Sequence, residues 1–183
     1  MKVHFHAKIY FFTFTPMTSK KIQVLDKKQI GQKLNRIAYQ ILEDNFEEEE
    51  IFLAGIMSRG YLLAGRLKKI LAEISDLKVH LIKLDIEKDS RSLKAKTDIA
   101  PETCENKVVI LVDDVLHTGR TLVYGVGVFL NVPLKKIRTV VLVDRSHKSY
   151  PVHIDFTGMQ LSTVAKEHVQ LVINGQEEAV YLT

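Results

Sequence analysis

Residues 108–121 read VVILVDDVLHTGRT, and four features of that run point to one chemistry. A continuous apolar stretch ends in two adjacent carboxylates, Asp113 and Asp114. A short turn from His117 to Thr121 follows, containing Gly119 and the hydroxyls of Thr118 and Thr121. A helical segment starts directly after the turn. Backbone N–H groups at a helix N-terminus, with a glycine that allows close approach and hydroxyls on either side, make a cradle for phosphate. Carboxylates one turn away accept hydrogen bonds from a polyol such as ribose. The run therefore suggests a ribose-phosphate site. The plain alternative is a strand–turn–helix junction with Asp as helix cap. Against it, two acids at a buried strand end cost desolvation unless something binds them. The run is not a Walker A loop, and its single glycine does not match the dinucleotide fingerprint.

Such a site needs elements to hold it, and the spacing of apolar residues supplies them. Ile30, Leu34, Ile37, Ala38, Ile41 and Leu42 fall on one face of a helix that starts after Asp26, a plausible N-cap. EIFLAGIM at 50–57 has the length of a buried strand, 60–74 returns to helical spacing, and VHLIKLDI at 79–86 reads as a second strand. Residues 87–106 are polar and aperiodic, which predicts a functional or mobile loop. KVVILVDD at 107–114 and IRTVVLVDR at 137–145 are strands of continuous apolarity, with a helix over roughly 120–131 between them. Continuous rather than alternating apolarity means both faces are covered, as in a parallel sheet. The order predicts an α/β, doubly wound, mostly parallel sheet flanked by helices. Two short strand-like runs, at 153–158 and 168–173, close the chain.

The 183 residues suit one domain with a substantial core. With 46% hydrophobic and 26% charged residues, wholesale disorder is excluded. A net charge of +4 does not by itself argue nucleic-acid binding. The charge is uneven, however: residues 1–36 hold eight Lys/Arg against Asp26 alone, and Glu43, Asp44 and Glu47 to Glu50 follow as a run of acids. The ordinary reading is a solvated surface; the sharper one is a basic arm for RNA. The single cysteine, Cys104, excludes an internal disulfide and fits a reducing, cytoplasmic setting. No apolar run approaches the roughly 18 residues of a membrane span. MKVHFHAKIYFFTFTP at 1–16 lacks the layout of a signal peptide, because Lys8 interrupts it and no small-residue cleavage site follows. We read it as an extension, native or not, to a single domain at 17–183; the alternative is an added edge strand.

The 108–121 run resembles the phosphoribosyl-pyrophosphate loop of type I phosphoribosyltransferases: an apolar strand, two acids, two hydrophobic residues, then x-Thr-Gly-x-Thr. The resemblance implies that Asp113 and Asp114 hold the ribose hydroxyls and that His117, Thr118, Gly119, Arg120 and Thr121 hold the 5′-phosphate. AGIMSRG at 54–60 resembles the family's pyrophosphate loop, where Ser58, Arg59 and Gly60 would contact the diphosphate and a non-proline cis peptide is often found. A guanidinium suits diphosphate oxygens. Residues 87–106 stand where the family keeps a mobile lid. VLVDRSHKSYPVHIDFTGMQLST at 141–163 is similar to the bifunctional pyrimidine operon attenuator/uracil phosphoribosyltransferase branch.

The resemblance further implies a small hood region, and a base pocket built from Val115, His117, Arg145 and Phe156, with Phe156 stacking on the base. The bland readings are core packing for Phe156 and an ion pair for Arg145. It implies Mg²⁺, held by Asp113 and Asp114 mainly through ligand oxygens and water, and a homodimer or higher homo-oligomer. Purine-specific relatives carry an Asp just before the Thr-Gly, where this chain has His117, and the attenuators carry an aromatic there. A neutral His117 could replace the Asp in part as proton acceptor. The expected activity is transfer of phosphoribosyl from phosphoribosyl pyrophosphate to a base, uracil before purines. The rival is a nucleotide-sensing RNA-binding regulator with little turnover.

Overall fold

The computed structural model describes residues 21–87, 94–146, 148–162, 167–175 and 177–183. The chain order is β1 (Ile22–Leu25), α1 (Lys27–Asp44), β2 (Glu50–Ile56), α2 (Arg59–Ile74), β3 (Lys78–Glu87) and β4 (Lys94–Thr97). A 3₁₀ turn at Pro101–Cys104 follows, then β5 (Val108–Leu116), α3 (Arg120–Phe129), β6 (Lys136–Asp144), β7 (Phe156–Gln160), β8 (Val169–Asn174) and β9 (Glu177–Leu182).

Six strands form the central sheet in the order β4-β3-β2-β5-β6-β7. All neighbours are parallel except β4, which runs antiparallel to β3. Alternation along each strand divides the core in two. Ile51 and Leu53 of β2, Val108, Ile110 and Val112 of β5, and Val140 and Leu142 of β6 pack with the buried faces of α1 and α2. Phe52, Ala54 and Ile56, Val109 and Leu111, and Val141 point the other way, toward Leu122 and Phe129 of α3. Both faces of each central strand are thus covered, which is why these strands read as unbroken apolar runs. The architecture is the expected doubly wound α/β sheet.

Local chemistry sets the start of α1. Asp26 Oδ1 accepts the Gln29 N–H at 2.7 Å, and Gln29 Oε1 accepts the Asp26 N–H at 2.9 Å, a complete capping box. Ile30, Leu34, Ile37, Ala38 and Ile41 then form its buried stripe.

β1, β9 and β8 make a second, antiparallel sheet that corresponds to the expected hood. Leu25, Val169, Leu171 and Val180 bury into the same core as α1 and α2. β1 and β9 have no counterpart in the sequence reading.

The polar stretch 87–106 is less loop-like than its composition predicts. Lys94–Thr97 returns antiparallel along the end of β3, from Leu84↔Thr97 to Glu87↔Lys94, and Cys104 is fully buried in the turn that follows. KAKT carries no apolar pattern, so only backbone pairing with β3 defines that strand. Residues 88–93, within the expected lid, and the extension 1–16 lie outside the described residues.

Candidate active site

The sheet itself creates the opening. The β2–β5 ladder ends at Gly55↔Val112, whereas β5 stays paired to β6 as far as Leu116↔Asp144. Asp113 and Asp114 therefore lie inside a strand that continues two residues beyond its predicted end, on the edge that β2 no longer covers. From β2 the chain turns through α2 to β3 on one side. From β5 it turns through α3, on the opposite face, to β6. The gap between β2 and β5 is the switch point at which open α/β sheets bind ligands, outside the carboxyl ends of the strands.

Two loops flank the gap. Ser58 caps α2, and the Met57–Ser58 peptide is cis. Gly60 sits so close to β5 that an added Cβ would lie 2.4 Å from the Val112 carbonyl oxygen and 3.0 Å from Asp113 Cα. The start of α2 is thereby pressed against the carboxylates. Arg59, next in line, reaches Asp114, with Nη1 3.7 Å from Oδ2. Asp113 Oδ1 accepts the Asp114 N–H at 2.9 Å.

On the other side the turn is shorter than predicted. It spans 117–119, and Thr121 is already in the first turn of α3. Gly119 caps the helix at φ 83°, in the left-handed region, and an added Cβ would lie 2.6 Å from Val152 Cγ1. The Thr118 carbonyl accepts the N–H groups of Ser149 (2.9 Å) and Tyr150 (3.0 Å), and Thr118 Oγ1 accepts the Arg120 N–H at 3.3 Å. These contacts hold the turn with the first N–H groups of α3 at its mouth, where a helix has no acceptors of its own.

One cavity joins the two sides. It is lined by Arg59, Asp113, Asp114, Val115, Leu116, His117, Thr118, Gly119, Thr121, Leu122 and Val169. Of the expected site residues, Arg59, Asp113, Asp114, Val115, His117, Thr118, Gly119 and Thr121 meet there. Ser58 and Gly60 flank Arg59 at the start of α2 and are not themselves lining residues. The Arg120 guanidinium lies 5.7 Å from the Tyr124 ring centroid, with a buried Nε, and does not line the cavity.

Two expected base-pocket residues are placed differently. Phe156 pairs with Val140 at the start of β7 and is buried in the core cluster that also holds Val115 and Val169 of the cavity wall. The β6–β7 register puts its side chain on the face of the sheet that Val140 shares. Arg145 is 7% exposed and also off the cavity wall. Its Nη1 lies 2.8 Å from His117 Nδ1, and its Nη2 donates to the Glu167 carbonyl at 2.5 Å.

Leu116, Leu122 and Val169 are lining residues that sequence reasoning missed. The first two lie in or beside the motif and read as core. Val169 arrives from the hood, and no local signal announces it.

Comparison with known proteins agrees with this geometry. The phosphoribosyl transferase domain family matches residues 22–174. A protein named bifunctional protein PyrR from Fusobacterium nucleatum is 34% identical over 170 residues, covering 87% of this chain and 96% of that protein. Its namesake from Clostridium acetobutylicum is 36% identical over 166 residues, covering 86% and 93%. Among solved structures, a hypoxanthine-guanine phosphoribosyltransferase from Bacillus anthracis superposes with a TM-score of 0.65 at 20% identity, covering 76% of this chain and 81% of that one. The hypoxanthine phosphoribosyltransferase of Trypanosoma cruzi gives 0.67 at 17%, with the same coverage. The switch-point cavity, its acid pair and glycine turn, and a family match from β1 to the end of β8 leave one assignment: the chain belongs to the type I phosphoribosyltransferase family.

Proposed function

We propose that this phosphoribosyltransferase transfers phosphoribosyl from phosphoribosyl pyrophosphate to a pyrimidine base, uracil before any purine. The observation that carries the reading is the single cavity holding Asp113 and Asp114 between Arg59 and the Gly119 turn. In this reading Asp113 and Asp114 accept hydrogen bonds from the ribose hydroxyls. Their charge stabilises the positive charge that develops on the ribose ring as the bond to diphosphate breaks. Arg59 and the backbone at 58–60 take up the charge of the departing diphosphate. Thr118, Gly119 and Thr121 hold the 5′-phosphate against the N-terminus of α3. Rate then comes from positioning and charge placement, and no covalent enzyme intermediate is needed.

Among the described residues, no three His, Cys, Asp or Glu side chains gather into a metal site. The adjacent pair Asp113 and Asp114 instead fits a Mg²⁺ that keeps most of its shell as water and substrate oxygens. When bound, that ion would neutralise diphosphate charge.

Uracil is favoured because transfer to a purine ring nitrogen benefits from a carboxylate placed to accept its proton. The carboxylate expected for a purine enzyme is replaced by His117. The test is pyrophosphate release from phosphoribosyl pyrophosphate and Mg²⁺ against a panel of free bases. Uracil should give the highest kcat/KM. A tenfold preference for hypoxanthine or guanine, about 1.4 kcal/mol the other way, would overturn the pyrimidine assignment.

A second reading has one observation in its favour: the similar proteins named above are called bifunctional. A regulatory, RNA-binding role would use exposed cations such as Lys68 and Lys69 on α2. It predicts RNA binding that weakens steeply with salt. We further propose a cytoplasmic homo-oligomer. No described helix is long and apolar enough to cross a membrane.

A further inference from the structure

We propose that Arg145 is a positioning residue that holds His117 as a hydrogen-bond donor, so that the site selects nucleobases presenting a carbonyl oxygen over those presenting an amino group. This rests on the reading that the cavity receives a nucleobase.

Arg145 is a charged side chain in the protein interior, at the end of β6. It ties three segments together. Its backbone N–H donates to the Leu116 carbonyl at 3.3 Å, its Nη2 donates to Glu167 just before β8, and its Nη1 lies 2.8 Å from His117 Nδ1. A guanidinium has five N–H donors and no acceptor. His117 Nδ1 must therefore be the accepting atom. In a neutral imidazole one nitrogen accepts and the other carries the hydrogen, so the hydrogen is on Nε2. The same contact opposes a proton on Nδ1, because two N–H groups would then face each other. Held in this way, His117 offers an N–H and not a lone pair.

His117 lines the cavity with Arg59, Asp113 and Asp114. The role of partial proton acceptor, expected for this position from sequence, does not fit a ring fixed in that tautomer. An N–H donor pairs with the carbonyl of uracil or hypoxanthine. It meets another donor at the amino group of cytosine or adenine. Sites built around one hydrogen bond reject the analogue that cannot complete it.

Two measurements on the full chain test this. The first is a two-bond ¹H–¹⁵N spectrum of ¹⁵N-histidine-labelled protein at pH 8, with His117 assigned by its loss in His117→Gln. The wild type should show Nδ1 unprotonated and Nε2 protonated. Arg145→Lys, which can still donate, should retain that pattern, and Arg145→Met should give a mixture of tautomers and a KM for uracil raised more than kcat is lowered.

The second measurement keeps the idea falsifiable if the buried Arg145 variants fail to fold. The ratio of kcat/KM for uracil over cytosine is compared in His117→Gln, which keeps an N–H donor, and His117→Glu, which offers only oxygens. The ratio should be about tenfold or more higher in Gln, the effect of one hydrogen bond. A proton on Nδ1 in the wild type, or equal ratios in the two variants, would overturn the proposal. Absence of turnover with every base would overturn the transfer reading along with it, whereas turnover with equal ratios would overturn the selection alone.

Discussion

Asp113 and Asp114 occupy the level of β5 where β2 has already left the ladder and β6 has not. Their strand is held by β6 on one side, and both residues line the cavity. The same economy governs Gly119, whose left-handed φ and contact with Val152 leave no room for a side chain. Gly119→Val should therefore lose most phosphate binding. A β-branched residue resists that conformation and would push the turn away from α3. Inhibition by ribose 5-phosphate measures it: the inhibition constant should rise at least about tenfold, and an unchanged constant would remove the turn from the site. These residues were readable because their chemistry lies in consecutive positions. The face of β7 that Phe156 occupies is less readable, because the β6–β7 register decides it. Arg145 was read as pocket lining because sequence does not show which side chain it meets.

Elements were legible where their own pattern defines them. The 3.6-residue stripe and capping box of α1, and the two-sided apolarity of β2, β5 and β6, belong to this class. β1, β4 and β9 do not: the first two have four residues each, and all three are defined by distant backbone partners. Ion pairs tie α1 to the sheet in a comparable long-range way. Asp44, at the end of α1, accepts from Arg138 Nε and Nη2, each at 3.1 Å, and lies 2.9 Å from Lys136 Nζ. The Arg138 guanidinium above all, aided by Lys136, holds the Asp44 carboxyl below its ordinary value of 3.8. A carboxylate whose pKa is lower in the folded state adds stability above its unfolded pKa and loses it as pH falls through the folded value. Asp44→Asn should thus cost about 1 kcal/mol or less at pH 6, since the pair is partly exposed. That gap should close below pH 3.8. Urea unfolding of both proteins across pH 3 to 6 reads it, and a gap independent of pH would show that the pair is not electrostatic in effect.

At the scale of the molecule, one sheet with helices on both faces and a hood whose β8 meets β5 accounts for where the cavity lies. Sequence alone reached the sheet, because doubly wound order leaves a record in the alternation of apolar strands and helices. It did not reach the full hood, whose strands β1 and β9 come from the two ends of the described chain. The nine described strands of the sheet and hood all lie from Ile22 onward. Removal of residues 1–16 should accordingly leave activity and melting temperature nearly unchanged. A melting temperature many degrees lower would show that the aromatic segment contributes a packed element.

The central claim is that the acid pair and the glycine turn form a ribose-phosphate site. Its most direct test is calorimetric titration of phosphoribosyl pyrophosphate, with Mg²⁺, into wild type and into the double variant Asp113→Asn, Asp114→Asn. The variant should fold with equal or higher melting temperature, because two like charges side by side are removed. Binding should be abolished in that folded variant. Unchanged affinity in a folded double variant would contradict the assignment.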